Sequence, residues 1–325
     1  MTDIATIKAY LAPAMAQVEK TIIAALSSDV QLLDQTNKSL REHPGKMLRP
    51  MLALLCAGAV GKLNEDTIKY AAATELLHNA TLLHDDVVDG AEQRRGLPTV
   101  ASLLGGPAAV LIGDFWLVRA VRTVLSGTNN KNEVINIFAA TLGHLAEGEL
   151  LQMEKASKGD TTQQDYEKII YGKTASLFET AAVSAALSVN ATPQDTEVIK
   201  AFAKAIGIAF QIKDDIMDYG QASIGKPTGI DLREQKITQP LLCALQGATP
   251  EEQQRIRAKV TRIADNPAIA AEVQAFVKEH DGVAKAITVL DKFIEQAQSQ
   301  LEKLAPSPEK LYLARLAQFV GAREN

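Results

Sequence analysis

The chain has 325 residues, 46% hydrophobic and 22% charged, enough to bury one large core or two ordinary ones. Its 20 glycines and 12 prolines are too few for a disordered, collagen-like or low-complexity chain. A net charge of −5 and 5% aromatic residues exclude the basic surface and stacking platforms through which proteins hold nucleic acid.

Apolar residues recur at helical spacing almost throughout, and no segment alternates long enough for a half-buried strand, so the fold class read from the pattern is all-α. Helices are predicted over Ile4–Leu26, Met47–Val60, Glu65–Val88, Thr99–Leu125, Lys131–Lys155, Gln163–Val189 and Gln194–Met217, with shorter ones toward the C-terminus. Gly61, Gly90, Ser126-Gly127 and Thr192-Pro193 mark the turns between them. Runs of small residues such as Ala71–Ala73 and Ala181–Ala186 suit a close-packed bundle around a central cavity. The Gly-rich stretch Tyr219–Lys236 reads as a functional loop. The apolar run near Met51–Val60 is shorter than the ~20 residues of a membrane span, and Met1–Tyr10 lacks a basic region followed by an apolar one. The expected location is cytoplasmic. Cys56 and Cys243, far apart in apolar surroundings, are expected to be buried free thiols.

The clearest chemical signal is Asp85-Asp86-Val87-Val88-Asp89, repeated 129 residues later as Asp214-Asp215-Ile216-Met217-Asp218. Each D-D-x-x-D lies at the C-terminal end of an apolar helix, where three and four residues apart means neighbours on one rim. Three carboxylates there oppose the helix dipole and one another, so each cluster calls for a cation. Oxygen donors in water favour Mg²⁺, which completes its shell with water and phosphate. The plainer reading is a solvated acidic helix end, which two copies make harder to sustain. Basic groups that suit phosphate flank the motifs: Lys46, Arg49, Arg94, Arg95, Lys173, Lys226 and Lys236. The stretch Gly220–Pro227 approaches a nucleotide-binding loop. Proline stands where that loop needs Ser or Thr, and no strand precedes it.

Taken in order, Gly45-Lys46-Met47-Leu48-Arg49-Pro50, Glu75-Leu76-Leu77-His78, His84–Asp89, Arg94-Arg95-Gly96, Gly113-Asp114, Lys173-Thr174-Ala175, Phe210–Asp218, Gly225-Lys226-Pro227 and Lys236–Pro240 resemble the motif series of the trans-type (E-type) polyprenyl diphosphate synthases. That resemblance implies one helical-bundle domain over residues 1–325, of the isoprenoid synthase type I fold, working as a homodimer. The implied reaction joins isopentenyl diphosphate head-to-tail to an allylic diphosphate. By the same resemblance, Asp85, Asp86, Asp89, Asp214, Asp215 and Asp218 hold three Mg²⁺ ions on the allylic diphosphate, and Arg94, Lys173 and Lys226 contact its oxygens. Gly45, Lys46, Arg49, His78 and Arg95 correspond to the isopentenyl diphosphate site, while Lys236 and Asp231 fall near a closing loop. Lys173, Thr174 and Gln211 serve either the cationic centre or the diphosphate. Met47 departs from the pattern, which often has arginine there.

The resemblance also makes the residues one turn before the first motif the floor of a product tunnel. Here they are the small Ala80 and Thr81, which leave the way open toward Leu77 and deeper turns. Asp66 to Asp89 spans 24 residues, about 36 Å of helix, and Phe138 is a candidate for a deeper floor. The expected product is of medium to long chain length, octaprenyl in the first instance. Its expected fate is a quinone side chain, with transient contact at the membrane surface. A short-chain geranylgeranyl or farnesyl synthase, a terpene cyclase and a non-catalytic helical subunit are the competing readings. The second diphosphate site argues against the cyclase, and six intact aspartates against the inactive subunit.

Overall fold

The computed structural model describes residues 4–42, 45–94, 96–220 and 229–323, with the backbone alone for 39–42. In chain order the α-helices are α1 Ile4–Ala25, α2 Gln31–Glu42, α3 Leu48–Val60 and α4 Glu65–Val88. A short hairpin of β1 Gln93–Arg94 and β2 Leu97–Pro98 follows, then α5 Val100–Leu104, α6 Gly106–Leu125, α7 Lys131–Lys158 and α8 Gln163–Ile170. A wide π-helical turn, Tyr171–Ala175, leads into α9 Ser176–Ser188 and α10 Pro193–Asp218. The series closes with α11 Ile230–Arg233, α12 Gln239–Gln246, α13 Pro250–Val260, α14 Ile269–Glu279, α15 Gly282–Leu301 and α16 Pro308–Ala322.

The chain is all-α, as its periodicity predicts. Among the described residues the hairpin, with Arg94 opposite Leu97, is the only sheet. Four local differences from the predicted pattern have physical causes. Helix α2 went unread because its sequence is mostly polar; it is held by Asn37, which donates to the Leu26 carbonyl at 2.8 Å and accepts from Trp116 Nε1 at 2.8 Å. The predicted helix over Thr99–Leu125 breaks at Gly105, whose φ of +84° is open to glycine at little cost. The predicted helix over Gln163–Val189 carries the π turn at its centre. The described part of the stretch after Tyr219 is not structureless, since α11 lies within it.

The chain divides into two compact units, described here separately. The first takes in Met1–Ala140, Leu177–Lys200 and Lys303–Leu313; the second takes in Thr141–Ser176, Ala201–Glu302 and Ala314–Asn325. In the first, α4 packs along α6 and against α3 and α1. Its start is fixed by a capping box, Asn64 accepting from the Thr67 amide while the Thr67 hydroxyl takes the Asn64 amide. Tyr70, Ala71–Ala73, Leu76, Leu77 and Ala80 are fully buried, so the middle of α4 is buried around its whole circumference. In the second unit, α12, α14 and α15 pack together, with Leu241, Val273 and Leu290 in their core. Cys56 and Cys243 are buried, unpaired thiols.

Candidate active site

The first motif occupies the last turn of α4, with Asp89 as its C-cap. Helical winding of about 100° per residue sets Asp86 about 100° from Asp85 and about 60° from Asp89. Asp86 is 5% exposed, Asp85 is half-buried and Asp89 is exposed. The hairpin folds back so that Arg94 Nε donates to Asp86 Oδ1 at 2.7 Å. Beside them lies a cavity of about 580 Å³ lined by Asp86, Gly90, Gln93, Ser102 and Gly106. His84 Nε2 stands 3.3 Å from Asp114 Oδ1, which ties the Gly113-Asp114 motif of α6 to the helix end.

The second motif closes α10, whose buried Ile206, Ala209, Ile212 and Ile216 carry it. Asp214 is half-exposed and pairs with Arg323 Nη2 at 2.9 Å. The same nitrogen donates to the Phe210 carbonyl at 2.7 Å, and the guanidinium carbon lies 3.7 Å from the Phe210 ring centre. Asp215 is 2% exposed. Its Oδ2 accepts from the Tyr166 hydroxyl at 2.6 Å and more distantly from the Gln239 amide at 3.4 Å, and its Oδ1 accepts from Gln211 Nε2 at 2.9 Å. Burial pushes the Asp215 carboxyl up to about 6, against the pull of these donors. Asp218 accepts from the amides of Ile230 at 3.0 Å and Asp231 at 3.1 Å, which returns the chain to the motif at α11. Burial, helped by the charges of Asp215 and Asp218, drives the Asp231 carboxyl well above the usual range.

Around Asp215 the chain builds a small cavity of about 170 Å³ that brings together Lys173, Gln211, Asp215, Asp231 and Lys236. Lys173 belongs to the π turn and pairs with Glu149 of α7 at 2.5 Å. Thr174, one residue on, donates to Gln211 Oε1 at 2.7 Å. The helices cross closely here because of glycine: a Cβ on Gly172 would lie 2.5 Å from the His144 carbonyl oxygen. Lys236 pairs with Glu234. The more voluminous cleft, about 900 Å³ between α1, α4 and α6, shares no residue with either motif and lies toward the opposite end of α4.

The remaining residues singled out in the sequence fall as follows. Gly45 is half-buried and Lys46 exposed at the entry to α3, where Met47 adopts a left-handed conformation with φ of +54°. The Arg49 guanidinium lies 4.8 Å from the Phe178 ring centre, a cation–π seat. His78 is half-buried on α4, two turns before Asp85. Leu77, Ala80 and Phe138 are fully buried, and Thr81 is half-buried with its hydroxyl on the His78 carbonyl at 2.8 Å. Arg95 and Lys226 lie outside the described residues. Arg323, Tyr166 and Glu149 were not read from the sequence. Arg323 has no motif around it and sits 109 residues from Asp214, so no local signal points to it.

Within each motif the middle aspartate is the most buried: Asp86 is held by Arg94, and Asp215 by Tyr166 and Gln211, while Asp85, Asp89, Asp214 and Asp218 are more exposed. Among the described residues no group of three or more His, Cys, Asp or Glu side chains draws together as a ready-made metal cage. The outward carboxylates still fit Mg²⁺: they are hard oxygen donors at a rim, and that ion keeps most of its shell for water and phosphate.

Residues 30–279 match the family model for Polyprenyl synthetase. Octaprenyl diphosphate synthase of Escherichia coli (strain K12) is 40% identical over 248 residues, 76% of this chain and 76% of that protein. A solved decaprenyl diphosphate synthase from Rhodobacter capsulatus has a TM-score of 0.91 at 34% identity, covering 99% of both chains. A polyprenyl synthase from Caulobacter crescentus CB15, complexed with calcium and isoprenyl diphosphate, has a TM-score of 0.91 at 31% identity, over 99% of this chain and 98% of that one. With two acid motifs of the family's spelling, each beside a fixed arginine, and a match over most of its length, the chain belongs to the polyprenyl synthetase family.

Proposed function

We propose that the protein is a Mg²⁺-dependent polyprenyl diphosphate synthase that adds isopentenyl diphosphate units head-to-tail to an allylic diphosphate, giving an all-trans product of about eight isoprene units. One observation carries the reading: both acid motifs close a helix beside a fixed cation, Arg94 on Asp86 and Arg323 on Asp214. Diphosphate ionisation needs that pairing of metal-binding carboxylates with anion-binding side chains.

Breaking the allylic C–O bond moves negative charge onto the departing diphosphate and leaves an allylic cation. Magnesium, three ions in this reading, supplies Lewis-acid stabilisation of that departing charge. Asp85, Asp89, Asp214 and Asp218 hold it, while Asp86 and Asp215 anchor their motifs. Arg94, Lys173 and Lys226 donate to the allylic diphosphate. Gly45, Lys46, Arg49, His78 and Arg95 orient isopentenyl diphosphate, so that its double bond meets the cation at short range. Lys236, beside the buried Asp231, closes over the site. The proton lost at the end of each step goes to the diphosphate. Small Ala80 and Thr81 let the product grow past Leu77 toward Phe138.

The whole chain acts as one synthase domain and pairs as a homodimer. In support, Leu111, Val118 and Leu125 are 68%, 54% and 49% exposed at seven-residue intervals on α6, an apolar stripe that a second copy covers. None of the described helices is long and apolar enough to cross a membrane. The protein works in the cytoplasm, with transient contact at the membrane surface for release of a quinone side-chain precursor.

The test is incubation with Mg²⁺, labelled isopentenyl diphosphate and farnesyl diphosphate, followed by chain-length analysis. A ladder ending near eight units is expected. Failure to extend any allylic primer would overturn the reading, and a stop at four units would overturn the chain length alone.

A further inference from the structure

Thr174, Gln211, Asp215 and Tyr166 form one hydrogen-bond chain, and the donor count of each group gives its direction. The Tyr166 hydroxyl donates to Asp215 Oδ2 at 2.6 Å, and the Gln211 amide nitrogen, which can only donate, faces Oδ1 at 2.9 Å. That fixes the Gln211 amide with its nitrogen toward Asp215, so its carbonyl oxygen faces Thr174. Thr174 Oγ1 must then donate to Gln211 Oε1, at 2.7 Å. A hydroxyl has a single proton, and Thr174 has committed it; any further partner of Thr174 Oγ1 meets lone pairs.

This separates two adjacent side chains of the π turn. Lys173 has three donors and no acceptor, which suits diphosphate oxygens. Thr174, held in this direction, cannot donate to those oxygens and suits an electron-poor carbon. Tyr166, 2% exposed on α8, is the far end of the chain.

We infer that Tyr166 is a positioning residue: by holding Asp215 as the terminal acceptor, it sets the direction of the chain through Gln211, so that Thr174 presents lone pairs to the allylic cation. Without the Tyr166 hydroxyl, Asp215 Oδ2 keeps only the long contact from the Gln239 amide at 3.4 Å, so the carboxylate can turn, the Gln211 amide can rotate, and Thr174 can offer its proton instead. The inference rests on the prenyl-transfer reading above.

The test compares binding of two diphosphates to the full chain with Mg²⁺. One carries a tertiary ammonium in place of the allylic C3, imitating the cation; the other is its neutral saturated counterpart. Tyr166→Phe is expected to weaken the ammonium analogue about tenfold and the neutral one less than about twofold. Thr174→Val should do the same, and the double variant should lose no more than Thr174→Val alone. Equal weakening of both analogues, or additive losses, overturns the inference. Should Tyr166→Phe fail to fold, Thr174→Ser decides: retention of the wild-type preference supports the chain, and loss of it overturns it. A wild-type protein that binds neither analogue would defeat the prenyl-transfer reading itself, an outcome distinct from binding without discrimination.

Discussion

The two acid motifs share a spelling, but their middle aspartates are held in opposite ways. Asp86 is buried against a cation, Arg94, delivered by a hairpin only a few residues later. Asp215 is buried against neutral donors, Tyr166, Gln211 and the Gln239 amide, and the arginine of that region goes to Asp214 instead. Neutral donors stabilise a carboxylate less than a cation does, so burial prevails at Asp215 and its carboxyl is pushed up to about 6. Identical motifs are therefore held by different partners, a cation at Asp86 and neutral donors at Asp215.

The hardest strain on this comparison is removal of an outward carboxylate. Asp85→Ala and Asp214→Ala should each reduce turnover by about 10²–10³-fold or more, Asp85→Ala with a melting temperature close to wild type and Asp214→Ala with a lowered one, because it leaves the buried Arg323 without its carboxylate. Near-normal rates in either variant would show that the two motifs do not share the metal.

Removing the cations separates the two regions next. Arg94→Ala and Arg323→Ala should each lower kcat/KM by roughly tenfold or more. Their stability effects should differ: Arg323 is 5% exposed and covers Phe210, so its loss costs about 3 kcal/mol in a denaturant melt, while the 36% exposed Arg94 costs about 1 kcal/mol. Equal stability losses would break the contrast.

A third test reads the charge of Asp215 directly. Its folded value of about 6 lies above its ordinary 3.8, so the folded protein binds this proton more readily. The group's contribution to stability therefore falls as pH rises from about 4 to about 6 and stays low above that. Asp215→Asn lacks the titration and should gain on wild type over that window by on the order of 3 kcal/mol, measured by urea melts at each pH. A gap independent of pH would mean that the carboxyl titrates normally. The smallest effect on rate is expected from Ala80→Phe, placed on the buried face one turn before Asp85. It should shorten the product by one or more isoprene units with turnover within about threefold. An unchanged product would place the tunnel elsewhere.

Much of this was legible because it is local. The 3.6-residue period gave α1, α3, α4, α7 and α10 to within a few residues and the C-terminal end of α6, and the D-D-x-x-D spacing located both helix ends. Lys173, Thr174 and Gln211 were identified, and Thr174 and Gln211 are hydrogen-bonded to each other. What could not be read depends on contacts far apart in sequence. Helix α2 lacks a sustained apolar stripe and relies on Asn37 bonding to Leu26 and Trp116. Arg323 reaches Asp214 across more than a hundred residues, and the inward turn of Asp86 and Asp215 depends on Arg94 and Tyr166 waiting for them.

The wide turn at Tyr171–Ala175 is, in effect, a helix with one residue too many. Deleting a single residue there would let ordinary winding resume with the flanking helices in nearly the same phase, because the wider turn takes up its extra residue locally. Helical content would hardly change, yet Lys173 and Thr174 would no longer face the same neighbours. The surplus residue is therefore absorbed where it stands. An alignment with a regular helix must open a one-residue gap at this turn, since pairing straight through it would put every later side chain one position, about 100°, out of phase.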